Sequence, residues 1–293
     1  MTTTALKTFS FAPGLDLRSI DIDGSPWFVA KDVCSALGLA DAGSVAVSRS
    51  CYGTAMIPMH IQLETSVLRK VLKRLHLPLE VMLLCVRWYA ANPLSLRNLE
   101  EMMAERGVIV DHATVHRWSL KIPPVLANVF RRRQRPIGSS WRMDETYVKV
   151  GGQWKYLYRA VDKMGQTADF LLTARRDLAA ARRFFERAID RHDVPEKITI
   201  DKSGANTAAV NGMVADSGVT IELRQSKYLN NLIEQDHRAI KRIVWPMLGF
   251  KDFDCARRLI AGIETMHMVK KGQLDAPEGQ ALSAADQFYL LAI

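Results

Sequence analysis

Trp141-Arg-Met-Asp-Glu-Thr-Tyr-Val-Lys-Val150 decides the fold. β-Branched and aromatic residues recur on alternate positions through it, the period of a strand, and an acid, Asp144, stands inside the alternation. Working outward, further strands are predicted at 154–162 and 166–173, joined by the turn signals Gly151-Gly152 and Met164-Gly165. The period then changes repeatedly. A helix is predicted at 177–190, a strand at 197–201, a helix at 206–215, a strand at 219–224, and long helices at 230–243 and 252–271.

Three consecutive strands followed by alternating helix and strand predict an α/β fold. It is a mixed sheet flanked by helices, in ribonuclease-H-like order, over 140–272. Residues 66–128 read as all helical. Leu79–Ala91 carries apolar residues at 79, 82, 83, 86 and 90, a one-faced stripe. Ser95, with a carboxylate nearby at Glu100, starts the next helix, which ends at Gly107. Asp111 caps a third. Two short helices joined by a glycine turn read as a helix-turn-helix, with Thr114, His116 and Arg117 as exposed DNA readers and Val115 and Trp118 packed inward. A basic linker at 129–139 holds Arg131, Arg132 and Arg133. The tail, 273–293, reads as loose before an apolar end. Ahead of all this, Leu15–Ile22 and Trp27–Val29 read as strands and Lys31–Leu39 as a short helix, a small partial α+β fragment over 1–42. Residues 43–65 read as a linker.

The chain has 293 residues, 48% of them apolar, and a net charge of +9. That charge is uneven. Residues 1–60 carry net −1, whereas 69–142 hold fourteen Lys/Arg against five acids, which favours a polyanionic partner. Cys34, Cys51, Cys85 and Cys255 form no CxxC pair, so neither a disulfide framework nor a zinc knuckle is indicated. No stretch approaches a membrane span, and a cytoplasmic, DNA-associated protein is expected.

Asp144 on the first strand, Asp201 at the end of Lys197-Ile-Thr-Ile-Asp201, and Glu234 on the helix from 230 form an acidic triad. Phosphodiesters resist attack because nucleophile and phosphate are both electron-rich. Two divalent metals overcome this, and clustered carboxylates are what hold them. Oxygen-only ligands favour Mg2+ or Mn2+, two per active site. Arg238 and Lys241 follow Glu234 at i+4 and i+7 on one helical face, where they would bind phosphates. Each acid also has a plainer reading. Glu145 could be the ligand in place of Asp144, Asp201 could cap a turn, and Glu234 could serve an i,i+4 pair. His112 and His116 lack a third soft ligand.

Several words add a resemblance. Pro78-Leu-Glu-Val-Met-Leu-Leu-Cys-Val-Arg-Trp-Tyr89, Arg97-Asn-Leu-Glu-Glu-Met-Met-Ala-Glu-Arg-Gly107, Trp141-Arg-Met-Asp-Glu-Thr-Tyr147, Thr199-Ile-Asp-Lys-Ser-Gly204 and Lys227-Tyr-Leu-Asn-Asn-Leu-Ile-Glu-Gln-Asp-His237 closely resemble DDE transposases of insertion sequence family six. The resemblance spans roughly 76–272. It implies a helix-turn-helix binding terminal inverted repeats, magnesium-dependent 3′-end cleavage and strand transfer on double-stranded DNA, and cointegrates as the outcome. Asp144, Asp201 and Glu234 match the family's catalytic, metal-binding positions, and Lys241 matches its basic residue. A homo-oligomer, at least a dimer, is also implied, since two ends must be held together.

The N-terminus departs from that pattern. Asp23-Gly-Ser-Pro-Trp-Phe-Val-Ala-Lys-Asp-Val-Cys-Ser-Ala-Leu-Gly38 resembles the start of the Bro-N domain of phage antirepressors, of which less than half is present. An element that landed in such a gene would leave this fusion, with internal initiation at Met56 or Met59 as a second start. The rival classes are a disabled DNA-binding regulator and an antirepressor-derived protein. Gly43-Ser44-Val45-Ala46 is what a family-type terminal repeat would encode. Codons 43–46 of the gene are therefore expected to spell such a repeat; sequencing codons that cannot do so removes the junction.

Overall fold

The computed structural model describes residues 7–12, 15–22, 25–28, 68, 72, 77–201, 204–226, 231–275 and 282–292. Two compact units, Met1–Met59 and His60–Ile293, divide the chain. The first holds a three-stranded antiparallel sheet of β1 (Lys7–Ala12), β2 (Leu15–Ile22) and β3 (Ser25–Phe28), in that order. β2 and β3 answer the two strands read from sequence. β1 was not anticipated, although Lys7-Thr-Phe-Ser-Phe-Ala12 alternates as a strand should. The helix expected at 31–39 and the linker at 43–65 lie outside the described residues, as does the turn at 23–24.

In the second unit, α1 (Leu79–Ala91) is buried on more than the expected stripe. Val81, Leu84, Cys85, Tyr89 and Ala91 are buried as well. The reason is company on several sides: helices that follow it in the chain, at 96–104, 112–132, 253–270 and 284–290, pack around it, so an apolar surface wider than one stripe is used. α2 (Leu96–Ala104) is capped by Ser95, whose hydroxyl accepts from the Asn98 backbone N–H at 3.0 Å; Asn98, not Glu100, completes the capping box. Gly107, at φ +70, supplies the left-handed turn that leads to α3 (His112–Arg132). Asp111 caps α3 through the Thr114 N–H at 2.9 Å.

α3 continues through Pro123-Pro124 into the segment read as a basic linker, reaching Arg132. There it is held from outside. A Cβ on Gly262 would come within 2.8 Å of Pro123, so only glycine allows so close a helix crossing. Past the helix, Arg135 N–H donates to the Gln273 carbonyl and Asp275 N–H to that of Arg133.

The five-stranded sheet runs β6-β5-β4-β7-β8, from β4 (Ser140–Val150), β5 (Gln153–Asp162), β6 (Thr167–Thr173), β7 (Lys197–Ile200) and β8 (Glu222–Gln225). β4, β5 and β6 are antiparallel neighbours; β7 and β8 continue the sheet in parallel with β4. This is the mixed α/β layout predicted from the alternation of periods. α4 (Leu178–His192) and α5 (Gly204–Ser217) supply Phe184, Phe185, Val210 and Met213 to one face, packed on Trp141, Met143, Tyr158 and Ile198. α6 (Asn231–Val244) lies against β4 and β5, and α7 (Phe253–Lys270) against β6 and α3.

A buried ionic cluster joins α6 and α7 to β5. Arg159 and Glu264 are both 0% exposed. Arg159 Nε donates to Glu264 Oε1 at 2.7 Å, and its Nη2 reaches Glu264 Oε2 at 3.0 Å and Asp236 Oδ2 at 2.6 Å. The other oxygen of Asp236 accepts from His267 Nε2 at 2.7 Å and pairs with Lys271 Nζ at 2.5 Å. Burial opposes the charge on Asp236. The His267 hydrogen bond, Arg159 and Lys271 outweigh it and hold the carboxyl well below the usual carboxylate range.

The apolar end of the tail is docked, while the stretch read as loose, around 276–279, lies outside the described residues. α8 (Ala284–Leu290) buries Phe288, its Tyr289 hydroxyl accepts from Arg87 Nε at 3.1 Å, and Arg133 Nη1 donates to the Leu290 carbonyl at 3.0 Å. No helix among the described residues is long and apolar enough to cross a membrane.

Replacing Arg159 by Met leaves Glu264 and Asp236 as buried, underpaired charges. Chemical denaturation is expected to show a loss of about 3–5 kcal/mol. A loss within 0.5 kcal/mol would remove the cluster as the clamp on α6.

Candidate active site

Pairing register builds the site. β7 pairs with β4 in parallel over Ser140↔Lys197, Trp141↔Ile198 and Arg142↔Thr199. Two more residues along each strand bring Asp144 and Asp201 level, just where β7 ends and β4 runs on. Asp144, Glu145 and Asp201 each offer an oxygen, and the three lie within 4.8 Å of one another. On β4, neighbouring side chains point to opposite faces. At the open end of the strand pair, both Asp144 and Glu145 still reach Asp201.

Glu145 is already well held. Its Oε1 accepts from Arg176 Nε at 3.1 Å and Asn206 Nδ2 at 3.0 Å, and its Oε2 from Arg176 Nη2 at 3.4 Å. The same guanidinium lies 3.5 Å from Asp201 Oδ2. Arg176 thus ties the two acids together at the mouth of the cluster. Glu234, exposed in the first turn of α6, stands outside the group of three. Its charge is nevertheless felt. The Asp144 carboxyl is pushed up to about 7, first by burial and then by the negative charges of Glu145, Asp201 and Glu234.

His237, one turn past Glu234, is buried beside them with Nδ1 3.7 Å from Asp144 Oδ2. Burial, with Arg159 and Lys241 adding to it, brings the imidazole down to about 3, so it is neutral at ordinary pH. A neutral neighbour brings Asp144 no compensating charge, whereas Arg176 compensates Glu145 and Asp201. A set of convergent carboxylate oxygens with no thiolate fits a hard divalent cation, whose charge would relieve their repulsion.

The remaining candidates lie where the sequence placed them on their elements. Arg238 and Lys241 share the exposed side of α6 with Glu234, while Ile233, His237 and Ile240 face inward. On α3, Val115 and Trp118 are buried as expected. The Thr114 hydroxyl donates to the cap, Asp111 Oδ2, at 2.7 Å and accepts from Arg117 Nη2 at 2.6 Å, and His116 is half-buried. Arg131 and Arg132 close α3, exposed. Arg176, Asn206 and His237 were not assigned a part from sequence. Only His237 left a usable signal, its i,i+3 spacing from Glu234. Arg176 beside the helix cap Asp177 reads as surface charge, and nothing local marks Asn206.

A family model described as a DDE domain matches residues 138–273. The transposase for insertion sequence-like element IS431mec of Staphylococcus aureus strain Mu50 is 35% identical over 193 residues, which cover 66% of this chain and 85% of that protein. The chain belongs to this family of insertion-sequence transposases. The transposase for IS257 in transposon Tn4003, also from Staphylococcus aureus, matches at the same 35% and the same coverage. Among solved structures, the HTLV-2 integrase catalytic core in complex with magnesium is 16% identical at a TM-score of 0.37, over 54% of this chain and all of that one. A simian T-cell lymphotropic virus intasome in complex with a PP2A regulatory subunit gives 14% and 0.38, over 63% and 75%. Likeness at that level adds nothing to the fold already described. In this transposase the acidic site and the matched domain coincide.

The raised Asp144 carboxyl has a consequence for stability. Its folded value, about 7, lies above the ordinary 3.8 of the unfolded chain, so ionisation weighs against folding. That cost is nil below the lower value and complete above the higher one. Asp144→Asn is expected to leave unfolding at about pH 3 nearly unchanged and to stabilise the protein at pH 8 by about 1–4 kcal/mol. Denaturation in chelator-treated buffer at the two pH values measures it; equal effects at both would show that the carboxyl is not raised.

Proposed function

We propose that this transposase cuts DNA at the 3′ ends of an insertion sequence and joins those ends to target DNA, with cointegrates as the product. The observation that carries the reading is the β4–β7 register that sets Asp144 and Asp201 level, with the helix of Glu234 beside them. Two divalent cations, Mg2+ or Mn2+, held by Asp144, Asp201 and Glu234, would supply activation of the attacking oxygen and stabilisation of the departing one. In the first step the oxygen of water bonds to phosphorus as the bond to the 3′ oxygen breaks. That oxygen leaves as a hydroxyl, which then attacks a target phosphodiester in the same manner.

The chain's own residues orient these steps. Arg238 and Lys241 hold phosphates flanking the scissile one, on the same side of α6 as Glu234. Arg176 fixes Glu145 and Asp201 before substrate arrives. α2 and α3 act as the helix-turn-helix, placing His116 and Arg117 against the terminal repeat; Thr114 contributes through the cap and Arg117. Arg131, Arg132 and Arg133 add positive charge for the backbone. Two copies or more are needed to hold two ends. Residues 1–42 are a truncated Bro-N-like piece appended to the enzyme; the support is the resemblance of their sequence and their place within the separate compact unit Met1–Met59.

A strand-transfer assay tests the reading, joining labelled element-end DNA to supercoiled plasmid in magnesium. Wild type is expected to give joined product, and Glu234→Gln at least about 1000-fold less, the scale on which losing one group that stabilises transition-state charge is felt. No product from either protein, with end binding intact, would instead identify a DNA-binding regulator with a disabled core.

A further inference from the structure

Between the pairing of β7 with Ser140–Arg142 and the bridge of Phe250 to Val150, the outer edge of β4 has no strand beside it among the described residues. A groove of about 760 Å³ lies there, walled by β4 and β5 on one side and by the end of α6 on the other. Its aromatic side chains are turned to solvent: Tyr147 is 52% exposed, Trp154 58% and Trp245 74%. Tyr147 stacks edge-on with Trp154 at 6.5 Å, so one wall is a continuous aromatic surface. Lys149 and Lys241 stand at the rim, and no acid is among the lining residues. Thr146 lines the groove too, and its buried Oγ1 has no hydrogen-bond partner among the described residues.

Two elements lead from the acidic site into this groove. Thr146 and Tyr147 follow Asp144 by two and three residues, about 7–10 Å along a strand. Lys241 follows Glu234 by seven, about 10 Å along a helix. That is the span of two or three base steps at 3.4 Å each.

We propose that the groove is a stacking site for an unpaired nucleobase of the DNA strand whose phosphate sits at the acidic cluster. Each base presents a π face, and aromatic walls take any of them. The two lysines match the phosphates on either side of that base. A groove for a second copy of this basic chain would gain nothing from a lysine rim free of acids. The inference rests on the reading of the protein as a DNA enzyme, and it adds a subsite for frayed or single-stranded ends.

The test uses the full chain and two synthetic duplexes, one blunt and one with a single-base 3′ overhang of 2-aminopurine. Wild type is expected to bind the overhang duplex about 5- to 160-fold more tightly than the blunt one and to quench its fluorescence, the range of one base stacking on an aromatic side chain. Trp154→Ala and Trp245→Ala should each shrink that ratio at least threefold while blunt-duplex binding stays within twofold. Trp154→Phe and Trp245→Phe should restore the ratio, which separates stacking from misfolding. Equal affinities with no quenching, while the blunt duplex is bound, overturn the stacking site and leave the DNA reading intact. If neither duplex is bound, the DNA reading itself fails. An unchanged ratio, with Trp245→Ala shifting the sedimentation of the protein, would make the groove an interface between copies and overturn the proposal.

Discussion

A single buried guanidinium governs where the helix of the third acid can lie. Arg159 sits directly opposite Asp144 in the β4–β5 register, and it reaches outward from the sheet to Asp236 on α6 and Glu264 on α7. One side chain therefore references the helix of Glu234 to β5, the strand paired with β4 and its Asp144. Its charges are costly to bury, and each is compensated by the next: Glu264 by Arg159, Asp236 by Arg159, Lys271 and His267. Because the compensation is mutual, α6 has one low-energy seat. A helix held only by Ile233, Ile240 and Val244 could slide or rotate by small amounts at little cost.

The electrostatics of the site follow from the same arrangement. Asp236, two residues beyond Glu234, is saturated with cations and stays ionised. Asp144, paired with Arg159 on the next strand, receives acids and a neutral imidazole as side-chain neighbours and resists ionisation. Two aspartates a short way apart are thus driven in opposite directions by their partners. The first holds the architecture together; the second is left wanting positive charge.

Much of this was legible in the sequence because it is written in periods. The alternation at 141–150, the apolar run ending at Asp201 and the helical spacing from Glu234 to Lys241 place each acid on its element, and the sheet order follows from the alternation of types. Other features depend on partners distant in the chain. α1 looks like a one-faced helix until neighbours surround it. α3 runs past the boundary read at 128, and Gly262 on α7 makes room for its proline pair. The docking of the apolar C-terminal end is not written locally, because its partner, Arg87, lies two hundred residues earlier. Arg176 and Asn206 could not be read as Glu145 partners for the same reason: their role exists only across the sheet.

The order of the cluster along the chain also bears on biosynthesis. Asp144, Arg159 and Asp201 leave the ribosome first, and α6 follows, but Glu264, His267 and Lys271, which seat α6, come last. A nascent chain or an amino-terminal fragment ending before α7 holds all three acids without the clamp that aligns them. The acidic site is completed only when translation is nearly over, so broken or unfinished copies carry its three acids without the assembled site.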